Sequence, residues 1–265
     1  MAASPRSPKS ASRSKPAAPA KPPKTPTALG WTHTARFLTT AAQLHQLPEL
    51  DVPEIAFVGR SNAGKSTCIN TLTQQRQLAY ASKTPGRTQH INLFALGRQG
   101  ETDAVLADLP GYGYASVPLA DKQRWQRVMA NYLVTRKNLK GVVLMSDPRL
   151  GLTELDELLL EAIRPRVEEG LKFLVLLTKS DKLTRSEAAK VLSITRLQAG
   201  GGDVMLFSAL KKQGVAEVAQ LLWDWTHDNG DLPTSESGFP DADAPDEPEC
   251  LDDPDNMGDD ASPAP

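Results

Sequence analysis

Short apolar runs alternate with stretches of helical spacing between residues 31 and 226. The runs 54–58, 91–96, 104–108, 142–146, 173–178 and 204–207 have the length and near-continuous apolar character of strands. Residues 35–40 are a candidate edge strand. Helical spacing fills 65–74, 119–138, 154–168, 186–197 and 215–226. In the second of these, Trp125, Val128, Met129, Tyr132 and Leu133 fall on one face, the pattern of a helix packed on a core. Strands that are apolar throughout need cover on both sides. The pattern therefore predicts an α/β protein: a mostly parallel sheet of six to seven strands with helices on both faces. In such sheets ligands bind beyond the carboxyl ends of the strands. No internal repeat interrupts this order.

Composition adds little to the class but much to the organisation. Apolar residues make up 40% and charged residues 23% of the 265, ordinary values for a globular chain. No apolar run approaches the roughly 20 residues of a membrane span, so no membrane role is expected. The first residues lack an apolar signal-type core, and the seven prolines among the first 26 disfavour the amphipathic helix of a transit peptide. Two cysteines far apart, Cys68 and Cys250, and no C-x-x-C point to a reducing, cytoplasmic setting. Cys68 reads as a small buried helix residue. The four histidines are scattered and suggest no metal cluster.

The net charge of −2 conceals an asymmetry. Residues 1–30 hold six basic residues and no acid, and residues 228–265 hold thirteen acids and no base, which leaves +5 for 31–227. Head and tail are rich in proline and poor in apolar residues, so both are read as disordered. They are either solvating tails or a basic arm that touches nucleic acid and an acidic tail that competes with it.

The chemistry begins after the first main strand. Gly59-Arg60-Ser61-Asn62-Ala63-Gly64-Lys65-Ser66 fits G-x-x-x-x-G-K-[ST] at every fixed position, between a strand and a helix. Gly59 and Gly64 let the backbone N–H groups turn toward phosphate oxygens, and the helix adds its positive end. Lys65 is expected on the β- and γ-phosphates, Ser66 on Mg²⁺, and Thr67 completes the contacting run. Asp108-Leu109-Pro110-Gly111 follows the third strand. Asp108 is placed to hold Mg²⁺ through water, and the Gly111 N–H to meet a γ-phosphate. Thr178-Lys179-Ser180-Asp181 ends the fifth. The Asp181 carboxylate can accept from guanine N1–H and N2–H₂, a donor pair adenine lacks. Lys179 can lay its stem over the purine. Ser208-Ala209-Leu210 can then offer a backbone N–H to guanine O6, with Phe207 just before it also counted in the contacting run.

One polar loop, residues 81–89, must supply a threonine to Mg²⁺ and the γ-phosphate. Thr84 and Thr88 compete. Thr88 is favoured because the strand just after it can hold it rigidly. The contacting run is Gly86, Arg87, Thr88, Gln89 and His90, with His90 itself read as the strand-edge residue.

Together these residues resemble the EngB family of bacterial GTPases, most specifically through S-K-T-P-G-R-T-Q at 82–89 and D-L-P-G-Y-G-Y-A at 108–115. Further matches are Trp125, Tyr132, Arg136, Asp147 and Arg149. The resemblance covers about 33–226 and marks Thr88 as the switch threonine. It implies a Ras-like P-loop GTPase fold, Mg²⁺-dependent GTP hydrolysis, a role in assembling the large ribosomal subunit, and a part in normal cell division and septation. The implied partners are that subunit and its RNA, bound by a monomer. The long head and tail depart from the family core.

Catalysis shows a gap. Where Ras-type enzymes place a water-positioning glutamine stands Tyr112, followed by an expected mobile Gly113-Tyr114-Ala115. Intrinsic hydrolysis should be slow, at about 10⁻⁴–10⁻² s⁻¹, and open to about 10³–10⁵-fold stimulation by a charge from outside. Asn62 resembles a residue that holds an activating K⁺ in related GTPases lacking the glutamine, or else stabilises the turn with its own side chain. Lys211, Lys212, Arg136, Lys137 and Lys140 are read as basic surface for RNA. A scaffold for division proteins, with incidental hydrolysis, is the alternative function.

Overall fold

The computed structural model describes residues 27–79, 90–98, 100–113 and 119–227. Seven strands form one sheet: β1 (Arg36–Ala41), β2 (Glu54–Gly59), β3 (Ile91–Leu96), β4 (Ala104–Asp108), β5 (Leu139–Ser146), β6 (Lys172–Leu177) and β7 (Asp203–Leu206). Six α-helices accompany them: α1 (Ala28–Thr32), α2 (Lys65–Leu72), α3 (Leu119–Thr135), α4 (Glu154–Glu168), α5 (Arg185–Ala199) and α6 (Val215–His227). The spatial order is β1-β3-β4-β2-β5-β6-β7. The β1–β3 and β3–β4 pairs are antiparallel, and every pair from β4 to β7 is parallel. The expected edge strand thus exists as β1.

The alternation along β2 shows how the core divides. Ala56 and Val58 face one side, with Tyr132 and Leu133 of α3 and Leu160 and Ile163 of α4. Ile55 and Phe57 face the other, with Ile69 and Leu72 of α2 and Val218 and Leu222 of α6. A strand's side-chain period of two makes both sets fully apolar only if both faces are covered, as they are. Val128 and Met129 join the first layer partly buried. The Trp125 side chain lies outside the described residues. Gly141 of β5 is required by packing, because a Cβ there would lie 2.2 Å from the Trp225 ring of α6.

Several boundaries shift. α1 begins inside the segment read as a head ending at residue 30: the Thr27 hydroxyl caps it by accepting from the Gly30 N–H (3.0 Å), and Trp31 anchors it. Trp31 packs edge-on against Trp223 and donates to Asp103 Oδ1 (2.9 Å). α3 stops at Thr135 rather than 138, and β5 starts at Leu139 rather than 142. The cause is the segment between them. Glu54, fully buried at the start of β2, accepts from the Tyr132 hydroxyl, and Arg136 donates to both its oxygens (3.1 Å each). Asn138 meanwhile donates to Val52 O (3.0 Å). This corrects the reading of Arg136 as RNA-facing charge: its side chain is 14% exposed and its charge is spent on Glu54. Lys137, Lys140, Lys211 and Lys212 are exposed as expected.

Among the described residues no helix is long and apolar enough to cross a membrane, and no His, Cys, Asp and Glu group forms a metal cluster. Cys68 is buried, and burial pushes its thiol pKa well up.

Candidate guanine-nucleotide site

The parallel order brings the loops after β2, β4, β5, β6 and β7 to one end of the sheet. β2 runs straight into the phosphate loop. Its last residue, Gly59, passes so close to β5 that a Cβ would sit 2.6 Å from Met145 O. Asn62 is left-handed (φ +64°) and exposed, a conformation asparagine tolerates in a tight turn. Gly64 is also left-handed (φ +98°) and opens α2, whose first residues are Lys65, Ser66 and Thr67.

Lys65 is buried and ion-paired with Oδ1 of Asp108, which β4 delivers from the neighbouring position in the sheet. The other oxygen of that carboxylate, Oδ2, is buried with no hydrogen-bond partner. A buried acceptor of this kind has a cost unless something binds it. A carboxylate oxygen of this kind, and a hydroxyl such as that of Ser66 in the first turn of α2, are hard oxygen donors of the type a hydrated Mg²⁺ takes. Leu109 and Pro110 lead to Gly111, whose backbone packs against the loop: a Cβ on it would lie 3.2 Å from Ser61 N.

The base-reading loops are tied to the phosphate loop. The Thr178 hydroxyl donates to Ala63 O (2.6 Å). Lys179, left-handed at φ +54°, donates from Nζ to Asn62 O (2.9 Å) and to Asp147 Oδ2 (3.1 Å). The Ser180 N–H donates to Phe207 O (3.1 Å). The Ser208 hydroxyl donates to Asp181 Oδ1 (2.6 Å), which holds that carboxyl below its ordinary range. The carboxylate is thus ionised and oriented at neutral pH. The Ser208 N–H is committed to Gln213 O (3.1 Å), so donation to a base oxygen falls to the residues after it, beginning with Ala209.

Asp181→Asn is therefore expected to weaken GTP binding about 10²–10⁴-fold, through two hydrogen bonds to a charged acceptor, and to make xanthosine triphosphate the better ligand. Competition binding with the two nucleotides and ATP measures it.

Three residues near the site were not singled out for it by sequence. Asp147 directly follows β5 and pairs with Arg149 as well as Lys179; the Arg149 guanidinium holds its carboxyl far below the ordinary range. Asp156, at the start of α4, accepts from the Tyr112 hydroxyl through one oxygen and from the Thr153 N–H (2.8 Å) through the other. Burial and the Asp156 charge push the Tyr112 pKa strongly up. A polar residue closing an apolar strand was the signal available for Asp147. Gly86, Arg87, Thr88 and Gln89, with Thr84, lie outside the described residues, as do Tyr114 and Ala115. His90 is exposed just ahead of β3, as a strand-edge residue would be.

A family model described as "50S ribosome-binding GTPase" matches residues 54–179. A protein of Acidovorax ebreus named "Probable GTP-binding protein EngB" is 80% identical over 199 residues, 75% of this chain and 91% of the relative. The chain belongs to the EngB family of GTP-binding proteins. A Paraburkholderia phymatum protein of the same name is 50% identical over 202 residues, 73% of this chain and 90% of its own length. A crystal structure of a probable GTP-binding protein EngB superposes with a TM-score of 0.53 at 18% identity, covering 66% of this chain and all but 1% of the other. Era in complex with MgGDPNP and a segment of 16S ribosomal RNA gives 0.54 at 21% identity, over 72% and 60%. These structures share the P-loop GTPase fold described above. The Acidovorax ebreus and Paraburkholderia phymatum EngB matches extend over 90% or more of the relatives' own length.

Proposed function

We propose that this EngB-family protein is a Mg²⁺-dependent GTPase that hydrolyses GTP to GDP and acts as a switch in assembly of the large ribosomal subunit, with the consequent part in cell division and septation. The observation that carries this is the convergence of Lys65 and Asp108 with Asp181 and Ser208 at one sheet end: a charge for phosphates, an oxygen for a cation and an acceptor for guanine. Ser66 and Asp108 would hold Mg²⁺, joined by Thr88 in the GTP form. When bound, the ion would withdraw charge from the phosphate oxygens. Lys65 binds the β- and γ-phosphates, Asp181 and Lys179 orient the base, and the Gly111 N–H meets the γ-phosphate. A K⁺ would join this set at Asn62.

Slow intrinsic turnover follows from Tyr112. It has no amide to orient a water, and its hydroxyl is engaged by Asp156. The missing contribution then comes from a partner. The +5 core and the basic head suit ribosomal RNA, and the name of the matching family model supports the large subunit. The protein is taken to work as a cytoplasmic monomer.

Co-sedimentation with purified large subunits tests this. A non-hydrolysable GTP analogue should promote binding over GDP. Binding should fall with salt at a log–log slope of about −0.7 to −0.9 per neutralised phosphate. Deleting 228–265 should tighten it, and deleting 1–26, which holds all six basic residues of the head and leaves α1 whole, should weaken it and flatten the slope. Binding indifferent to nucleotide would overturn the switch reading.

A further inference from the structure

Lys179 is steadied by a carboxylate to which the reading above assigns no task. Asp147 is 8% exposed at the end of β5. It accepts from Lys179 Nζ (3.1 Å) through Oδ2. Arg149 closes on its other side, donating from Nε to Oδ1 (2.9 Å) and from Nη2 to Oδ2 (2.6 Å). The frame around Asp147 is rigid. The Thr178 N–H donates to Ser146 O (2.9 Å), the Leu150 N–H to Asp147 O (2.9 Å), and the Ser146 hydroxyl to Gly151 O (2.9 Å). Lys179 is the opposite case: a flexible four-carbon stem on a left-handed residue just past a strand. Its other anchor is the carbonyl of Asn62, in the loop that must itself receive the phosphates.

We propose that Asp147 is a positioning residue for guanine-nucleotide retention: it holds Lys179 where its stem can cover the base, and through Lys179 it braces the phosphate loop at Asn62. Arg149, 52% exposed, balances the charge of the carboxylate from the solvent side. The inference rests on the guanine-nucleotide site described above. The base and the Asn62 stretch of the phosphate loop are met alike by GDP and GTP, so it does not distinguish two phosphates from three. It also acts only through Lys179, which separates it from a general structural role.

Release of fluorescent ribose-labelled GDP and GTP, chased with unlabelled nucleotide in stopped flow, tests it on the full chain. Asp147→Asn should speed release of both nucleotides by the same factor, about 10–100-fold, with Asp147→Glu in between as a partial rescue and a safeguard against misfolding of the first variant. In a Lys179→Ala background, Asp147→Asn should add little, because groups that act as one unit are not additive. Arg149→Ala should speed release less than Asp147→Asn, since it leaves the Lys179 pair in place. Retention by the wild-type chain with an unchanged rate in Asp147→Asn overturns the inference, as does full additivity with Lys179→Ala. Failure of the wild-type chain to retain either nucleotide overturns the site reading itself.

Discussion

Lys65→Ala is expected to abolish measurable GDP and GTP binding and, in the same stroke, to destabilise the nucleotide-free protein. The first effect follows from removing the charge assigned to the phosphates. The second follows from Asp108. That carboxylate is buried, and its Oδ1 is satisfied by Lys65 while Oδ2 has no partner. Without the ammonium a bare charge remains in the sheet. Breaking one side of a buried pair costs about 3–5 kcal/mol, against a total stability of about 5–15 kcal/mol for a domain of this kind. Calorimetric titration with GDP and urea unfolding without nucleotide measure the two effects separately. A variant that binds GDP within tenfold of wild type would refute the phosphate assignment. One that binds nothing yet unfolds at the wild-type midpoint would refute the burial argument.

Glu54→Ala is expected to cost about 3–5 kcal/mol for a related reason, at the opposite end of the sheet, where β2 begins. Glu54 is fully buried and accepts from the Tyr132 hydroxyl and from both Nε and Nη2 of Arg136. Alanine leaves a phenol without its acceptor and a guanidinium with only Pro48 O (2.8 Å) as a partner among these contacts. Glu54→Gln keeps an acceptor and loses the charge, so a smaller loss of about 1.5–3 kcal/mol is expected. Urea unfolding at unchanged slope reads both. The nucleotide affinity of the folded fraction should not change, because the network lies at the start of β2 and the site at its end. A loss below 1 kcal/mol for Glu54→Ala would refute the account.

Strands β2 to β6 were legible because they are buried on both faces and so read as near-unbroken apolar runs. The phosphate loop was legible because its chemistry demands fixed residues at fixed intervals beside a strand and a helix. Long-range pairing was not. Arg136 reads as surface charge until Glu54, 82 residues away, closes on it. Asp147 and Lys179 stand 32 residues apart, and Tyr112 and Asp156 stand 44 apart, so no local pattern announces either pair. α1 spans five residues, too few to establish a period. The start of β5 was masked by its own Lys140, exposed between buried Leu139 and Gly141.

The strand order also sets a timetable. β2 lies in the middle of the sheet, and both of its neighbours, β4 and β5, come later in the chain. The phosphate loop is complete at Thr67, but Ser208, which orients Asp181, follows about 140 residues later, some 7–30 s at about 5–20 residues per second of synthesis. A growing chain therefore carries the phosphate loop long before it has a frame to hold it or a base pocket to go with it. Capture of a guanine nucleotide becomes a signature of a finished domain. At a hundredfold excess over its dissociation constant the nucleotide adds about 2.7 kcal/mol, and only chains that have closed β7 onto β6 receive it.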